Sequence, residues 1–234
     1  MTDAATGAPA SGRPAERSAP FGNVKATRGD WLDLALTVLA LEGVDQVTVL
    51  NLSERLGVSR SSFYWYFKNR DELLGALLDR WDELNTRSIV AQAEAPAATV
   101  NEAVCNVFRC WFNPTIFSPR LDFAVREWAR RSAHVRKALD RADCVRTEAT
   151  KALFVRSGYE DEDAFVRARV LYTMQIGYYA LDLREPIVTR LDLTPHYLKA
   201  FTGVDPSKAE IDTFRAYAMD HAHIPDFEPS RGRS

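Results

Sequence analysis

The chain has 234 residues, 46% of them hydrophobic and 26% charged, with a formal net charge of −2. That length accommodates one large domain or two modest ones, and the composition is that of a soluble globular protein. A near-neutral balance excludes a protein that coats nucleic acid over its whole surface, so any DNA contact must come from a local patch.

Cys105, Cys110 and Cys144 are odd in number and show no C-x-x-C spacing. They therefore indicate neither a disulfide framework nor a zinc site, and no other metal or cofactor motif is present. No run of about 18 apolar residues exists and no apolar segment opens the chain, so neither a spanning helix nor a secretory signal is expected. A reducing cytoplasm is the expected location.

Residues 1–24 are rich in Ala, Gly, Pro, Ser and Thr and have little to bury before Phe21, which predicts a disordered arm. Arg13, Arg17, Lys25 and Arg28 against Asp3 and Glu16 leave the first 28 residues net positive. A solvated tail and an arm touching the DNA backbone both fit. Trp31, Leu34, Ala35, Val38 and Leu39 predict a buried helix ending near Gly43. Val49, Leu52 and Leu56 mark one face of a second helix. A turn containing Gly57 follows, and Ser59 is placed to cap a very short aromatic helix. Two short helices joined by a three-residue turn with Gly describe a helix-turn-helix, whose second helix is built to enter a major groove.

With Phe63 pointing inward, Phe67 shares its face, Ser61 and Trp65 point most directly away, and Ser62 and Tyr64 flank them. Outward aromatics beside Arg60 and Lys68 suit base edges, thymine methyls and phosphates. Packing on a neighbouring helix is the alternative. Arg55, Arg60, Lys68 and Arg70 against Glu54 give residues 46–70 a net charge of +3.

Asn69 caps a fourth helix, with Glu72 at the capping-box position and Leu73, Leu77, Trp81 and Leu84 along one face to about Gln92. The remainder also reads as helical. Pro96 opens a segment with Val100, Val104, Val107, Phe108 and Trp111, and Ser118-Pro119 begins a helix with Leu121, Ala124, Val125 and Trp128. A longer helix runs from about Ala133 to Ser157 and stops at Gly158. Asp161 or Asp163 starts the next, reaching about Asp182. Thr194-Pro195 and Asp205-Pro206 signal a short helix and a final one ending near His221. No strand or internal repeat is evident.

The segment Thr48–Leu74 resembles the DNA-binding signature of the TetR family, through Thr48, Leu52, Ser53, Gly57, Val58, Ser59, Phe63, Tyr64, Tyr66, Phe67, Arg70 and Leu73. It covers about the first third of the chain beyond the arm. Ser61 stands where many members have Gly, and Leu50 where some place a base-reading polar residue. The resemblance implies an all-α homodimer: an N-terminal three-helix helix-turn-helix domain and a C-terminal helical ligand-binding and dimerisation domain. It implies double-stranded operator DNA as partner, with Thr48 and Arg70 at the backbone. Arg60, Ser61, Ser62, Tyr64, Trp65 and Tyr66 match the reading helix, beside Lys68. The expected divisions are an arm (1–24), a DNA-binding domain (25–72), an effector-binding and dimerisation domain (73–224) and a loose tail (225–234).

Residues 170–181 are apolar nearly all round, which asks for burial on more than one side and suggests a partner subunit. Gly177, Ala180, Phe214 and Ala218 are the candidate interface residues. Phe108, Trp111, Phe112, Phe123, Trp128, Phe154, Tyr172, Gln175 and Tyr179 are candidates for a cavity taking a small apolar or aromatic effector, although aromatics at helical spacing equally make plain core. The expected function is ligand-released repression at an operator, with no membrane and no enzymatic role. A C-terminal domain that binds a protein or no ligand is the alternative.

Overall fold

The computed structural model describes residues 26–222; the expected arm and tail lie outside the described residues. Every regular element among the described residues is helical. The chain runs through α1 (Arg28–Glu42), a 3₁₀ turn (Val44–Gln46), α2 (Val49–Leu56), α3 (Arg60–Phe63) and α4 (Arg70–Trp81), then a π turn (Asp82–Thr86) leading into α5 (Arg87–Glu94). After these come α6 (Val100–Phe112), α7 (Pro119–Ala129), α8 (Ala133–Arg156), α9 (Asp161–Ala180), α10 (Ile187–Thr202) and α11 (Lys208–His221).

Local chemistry starts most of these helices. Thr27 and Asp30 form a reciprocal capping box at α1. Thr48, Asn69, Thr99, Ser118, Ser132 and Ser207 each accept a backbone N–H at a helix start. At α4 the reciprocal arm differs from the expected box, since Glu72 accepts the N–H of Lys68 rather than of Asn69. Gly57 ends α2 at φ 67°, a left-handed conformation that side chains resist. Gly57→Ala is expected to cost about 1–2 kcal/mol, read as a lower urea midpoint with unchanged slope.

Apolar side chains gather in two cores. One joins α1–α4 to α7 and the first half of α8, around Trp31, Leu39, Phe63, Phe67, Leu77, Trp81, Val125 and Leu139. The other joins α5, α6, α9, α10, α11 and the second half of α8, around Ile89, Phe108, Phe154, Leu171, Leu198 and Phe214. Helices α7 and α8 thus tie the helix-turn-helix to the C-terminal helices.

Two expectations are corrected here. The Thr194-Pro195 pair does not start a helix: Pro195 sits inside α10, which begins at Ile187, and the Thr194 hydroxyl bonds back to Arg190 O at 3.0 Å. The last helix is capped by Ser207 rather than at Asp205-Pro206. Within the single chain, residues 170–181 bury one side, through Leu171, Tyr172 and Gln175, and leave Val170, Thr173, Ala180 and Leu181 exposed on the other.

Candidate nucleic-acid interface and core cavity

Helix α3 is a single turn, too short to be stable by itself. It is held from beneath. Phe63 is fully buried, stacks on Phe67 at 5.3 Å and meets Trp31 edge-on at 5.3 Å, while Arg28 lies 5.0 Å from the Phe67 ring centroid. That anchoring turns Tyr64 and Trp65 to solvent, 60% and 67% exposed, with Arg60, Ser61 and Lys68 also exposed around them. Large aromatics that hydrophobic burial should remove from water are here displayed by a rigid base.

The other expected contact residues divide. Thr48 caps α2, accepting Asn51 N–H at 3.2 Å, and its own hydroxyl proton stays available at a helix N-terminus. Ser62 is buried with its hydroxyl on Ser59 O at 2.7 Å, because it faces the α2–α3 turn. Tyr66 is half-buried and donates to Ala26 O at 3.0 Å, fastening the start of α1. Arg70 donates to Val47 O at 2.6 Å and Val44 O at 2.7 Å, closing the 3₁₀ turn. These three are structural rather than free for DNA. Ser59 occupies the cap position without a capping bond; its hydroxyl pairs with Ser61 at 2.8 Å. Arg55 is held bidentately by Glu42 at 2.6 and 2.7 Å. Of the four cations in the expected patch, Arg60 and Lys68 are therefore the two left facing outward.

The nine residues expected around an effector do not converge. Phe108, Trp111, Phe112 and Gln175 meet between α6, α9 and α10 at a cavity of about 40 Å³, together with Met174, Tyr178, Glu185, Arg190, Thr194 and Tyr197. Phe154 is ordinary core against Tyr159. Phe123, Trp128 and Tyr179 border a separate open groove against the end of α1. Of the expected interface residues, Phe214 and Ala218 lie in the chain's own core, because α11 packs its apolar face on α6. Gly177 is half-buried and Ala180 exposed on α9. Nothing in the sequence pattern singles out Arg190 or Glu185; Glu185 precedes Pro186 and Arg190 lies in the first turn of α10, where charges are commonplace.

Tyr172 belongs to a buried polar network. Its hydroxyl donates to Asp143 at 2.7 Å and accepts from Arg126 at 2.9 Å and Arg146 at 3.2 Å. Asp122 accepts from Arg146 at 2.8 Å, Arg126 at 3.0 Å and the Trp81 indole at 2.9 Å. The network ties the end of α4 to α7, α8 and α9. Asn85 and Thr86 of the π turn join it, reaching Ser118 O at 3.0 Å and Arg146 at 3.0 Å. Burial would raise the Asp122 carboxyl, but Arg146 and Arg126 outweigh it and hold the group below its usual range. Burial pushes the Cys105 and Cys110 thiols up to about 12, so both are inert packing groups.

Residues 32–77 match the family model described as bacterial regulatory proteins, tetR family. The chain is 33% identical over 79 residues to the HTH-type transcriptional regulator TtgR of Pseudomonas putida, covering 34% of this chain and 37% of that one. It is 47% identical over 45 residues to the tetracycline repressor protein class A from transposon 1721 of Escherichia coli, covering 19% of this chain and 21% of that one. The chain thus matches less than half the length of either relative. A solved member of the TetR family from Streptomyces coelicolor A3 shares the fold, with TM-score 0.55 at 17% identity, over 77% of this chain and 98% of that one. The motif, the family model and the helical fold agree: residues 32–77 form a DNA-binding module of the tetR type, and the described helices share the fold of solved TetR-family members.

Proposed function

We propose that the chain is a cytoplasmic repressor that binds operator DNA as a homodimer and leaves it when a small molecule enters the cavity between α6, α9 and α10. The observation that carries the DNA reading is the exposed Tyr64–Trp65 pair in the turn that closes α3, directly after the fully buried Phe63. Base edges and methyls suit such an apolar face better than water does.

Pairing of subunits is supported by α9. Val166, Val170, Thr173, Gly177 and Leu181 follow helical spacing along a face that is apolar and mostly exposed. A second copy of the same stripe would cover it by two-fold symmetry, and a two-fold dimer sets two reading heads for paired half-sites. Val170→Arg with Gly177→Arg is expected to halve the mass seen in sedimentation equilibrium, while far-ultraviolet circular dichroism stays unchanged. An intact dimer in that variant overturns the placement.

Release would travel from the cavity along α9 to Tyr172, and through the Asp122–Arg146 network to Trp81 at the end of α4. The effector acts only by binding one arrangement of that network better than the other. Footprinting of the DNA upstream of the protein's own gene, without and with candidate effectors, tests the whole reading. A second reading, in which the C-terminal helices take a protein or no ligand, is favoured by the small size of the cavity. Protection that no small molecule relieves would support it.

A further inference from the structure

The cavity between α6, α9 and α10 contains hydrogen-bond donors without acceptors. Among the described residues, the Arg190 guanidinium makes no hydrogen bond and no ion pair. It rests instead on two rings, 4.3 Å from the Phe112 centroid and 5.1 Å from that of Tyr178. A guanidinium lying against rings keeps its N–H edge for an acceptor. Gln175, 6% exposed, contributes a buried Nε2 that meets no acceptor in full hydrogen-bond geometry; its side chain faces the Tyr179 hydroxyl, which likewise makes no well-aligned bond. Buried donors are satisfied in nearly all folded proteins, so an unsatisfied amide near an unsatisfied cation needs an explanation. The single acidic group lining the cavity, Glu185, is turned away from this role. It accepts the Tyr178 hydroxyl at 3.0 Å and forms no ion pair with Arg190.

We propose that this cavity takes an aromatic carboxylate. The ring lies against Phe108 and Trp111, whose centroids are 5.1 Å apart, and the carboxylate is held by Arg190 and Gln175 Nε2. The proposal rests on the effector-release reading above. Its chemistry follows by elimination. A neutral hydrocarbon would leave both donors unsatisfied, and a cation would face Arg190. A phosphate dianion would place a second negative charge near Glu185 with one cation to balance it. A monoanion with a flat apolar body satisfies both donors and the rings around them. Pockets for drug-sized ligands measure about 300–1,000 Å³, whereas this cavity has about 40 Å³, so side chains must move on entry. Met174, flexible at three bonds, and Tyr197, 37% exposed at the mouth, are the ones built to do so.

Three matched pairs test this by isothermal titration of the full-length protein: benzoate and benzamide, naphthoate and naphthamide, cinnamate and cinnamamide. At least one acid is expected to bind about tenfold or more tightly than its amide, as a charge-assisted bond implies. Arg190→Met should remove that preference, Gln175→Leu should reduce it, and Glu185→Gln should strengthen binding of the acid. Thermal melting of each variant without probe reports whether it is folded. Binding in which every amide is held as tightly as its acid, or a preference that survives Arg190→Met, overturns the carboxylate assignment and leaves the effector cavity standing. No saturable binding by any of the six compounds overturns the cavity reading together with this one.

Discussion

Asp122→Ala is expected to destabilise the folded chain by about 3–5 kcal/mol, a large part of the roughly 5–15 kcal/mol that holds a domain folded. The reason is what it leaves behind. Arg146 is fully buried, and without Asp122 its charge is left with the Tyr172 and Thr86 hydroxyls and the Trp81 ring, none of them an anion. The Trp81 indole loses its acceptor as well. Arg126 keeps Asp143 at 2.7 Å and is the lesser casualty. In a chain of this size the loss corresponds to a melting temperature lower by about 6–20 °C. Asp122→Leu with Arg146→Met is expected to recover most of it, because removing both charges removes the desolvation penalty too.

The same pair sets a pH signature. The Asp122 carboxyl is held below its usual value of 3.8 in the folded chain. Its contribution is therefore complete above the unfolded value and is lost as pH falls through the lower folded one. The gap between the wild type and Asp122→Ala should stay level from about pH 8 to pH 5 and narrow only in stronger acid. Urea unfolding at a series of pH values reads this directly. A gap that closed between pH 7 and pH 5 would mean that some other group titrates there and that Asp122 is not the buried anion described.

The helix-turn-helix was legible in the sequence because everything that builds it is local. The Thr48 and Asn69 caps, the left-handed Gly57 and the i, i+4 pair Phe63–Phe67 act within a few residues of one another. What failed was decided at a distance. Pro195 reads as a helix start, yet Leu191 before it and Leu198 and Phe201 after it are core residues, and their burial outweighs a local break. The π turn after Trp81 shifts the helical phase, so that Asn85 and Thr86 are buried while Leu84 is only half-buried.

The candidate site divides along the same line. Tyr64 and Trp65 could be assigned to an outward face because Phe63 fixed the inward one. Ser62, Tyr66 and Arg70 are equivalent to them in the motif, but their hydrogen bonds go to backbone carbonyls of Ser59, Ala26, Val44 and Val47 that sequence spacing does not reveal. Charges at four-residue spacing such as Asp122 and Arg126 read as a solvated helix face, and only the approach of α8 and α9 makes them a buried network. Phe108, Trp111, Phe112 and Gln175 were found by aromatic and apolar pattern. Arg190 was not, since its distinction is a guanidinium that rests on two rings with no hydrogen-bond acceptor among the described residues.

Tyr64→Ala and Trp65→Ala are each expected to abolish operator binding while leaving the fold in place. Both side chains are more than half exposed, so truncation forfeits little burial; Tyr64 loses its edge contact with Phe63 at 5.3 Å, which is worth about 0.5–1.5 kcal/mol at most. On DNA the balance reverses. One lost base contact costs about 1–3 kcal/mol, and a two-fold dimer loses it twice, giving about 2–6 kcal/mol and a drop in affinity from roughly 30-fold to over 10⁴-fold. Lys68→Ala should behave differently. If it meets a phosphate, binding weakens across all sequences alike and the salt slope falls by about one for each subunit. Fluorescence anisotropy with a footprinted duplex and a scrambled one, at several salt concentrations, separates the two kinds of loss. Specific binding that survives both Tyr64→Ala and Trp65→Ala would show that this face of α3 does not read the operator. The buried Phe63–Phe67–Trp31 base would then be presenting its aromatics to something other than DNA.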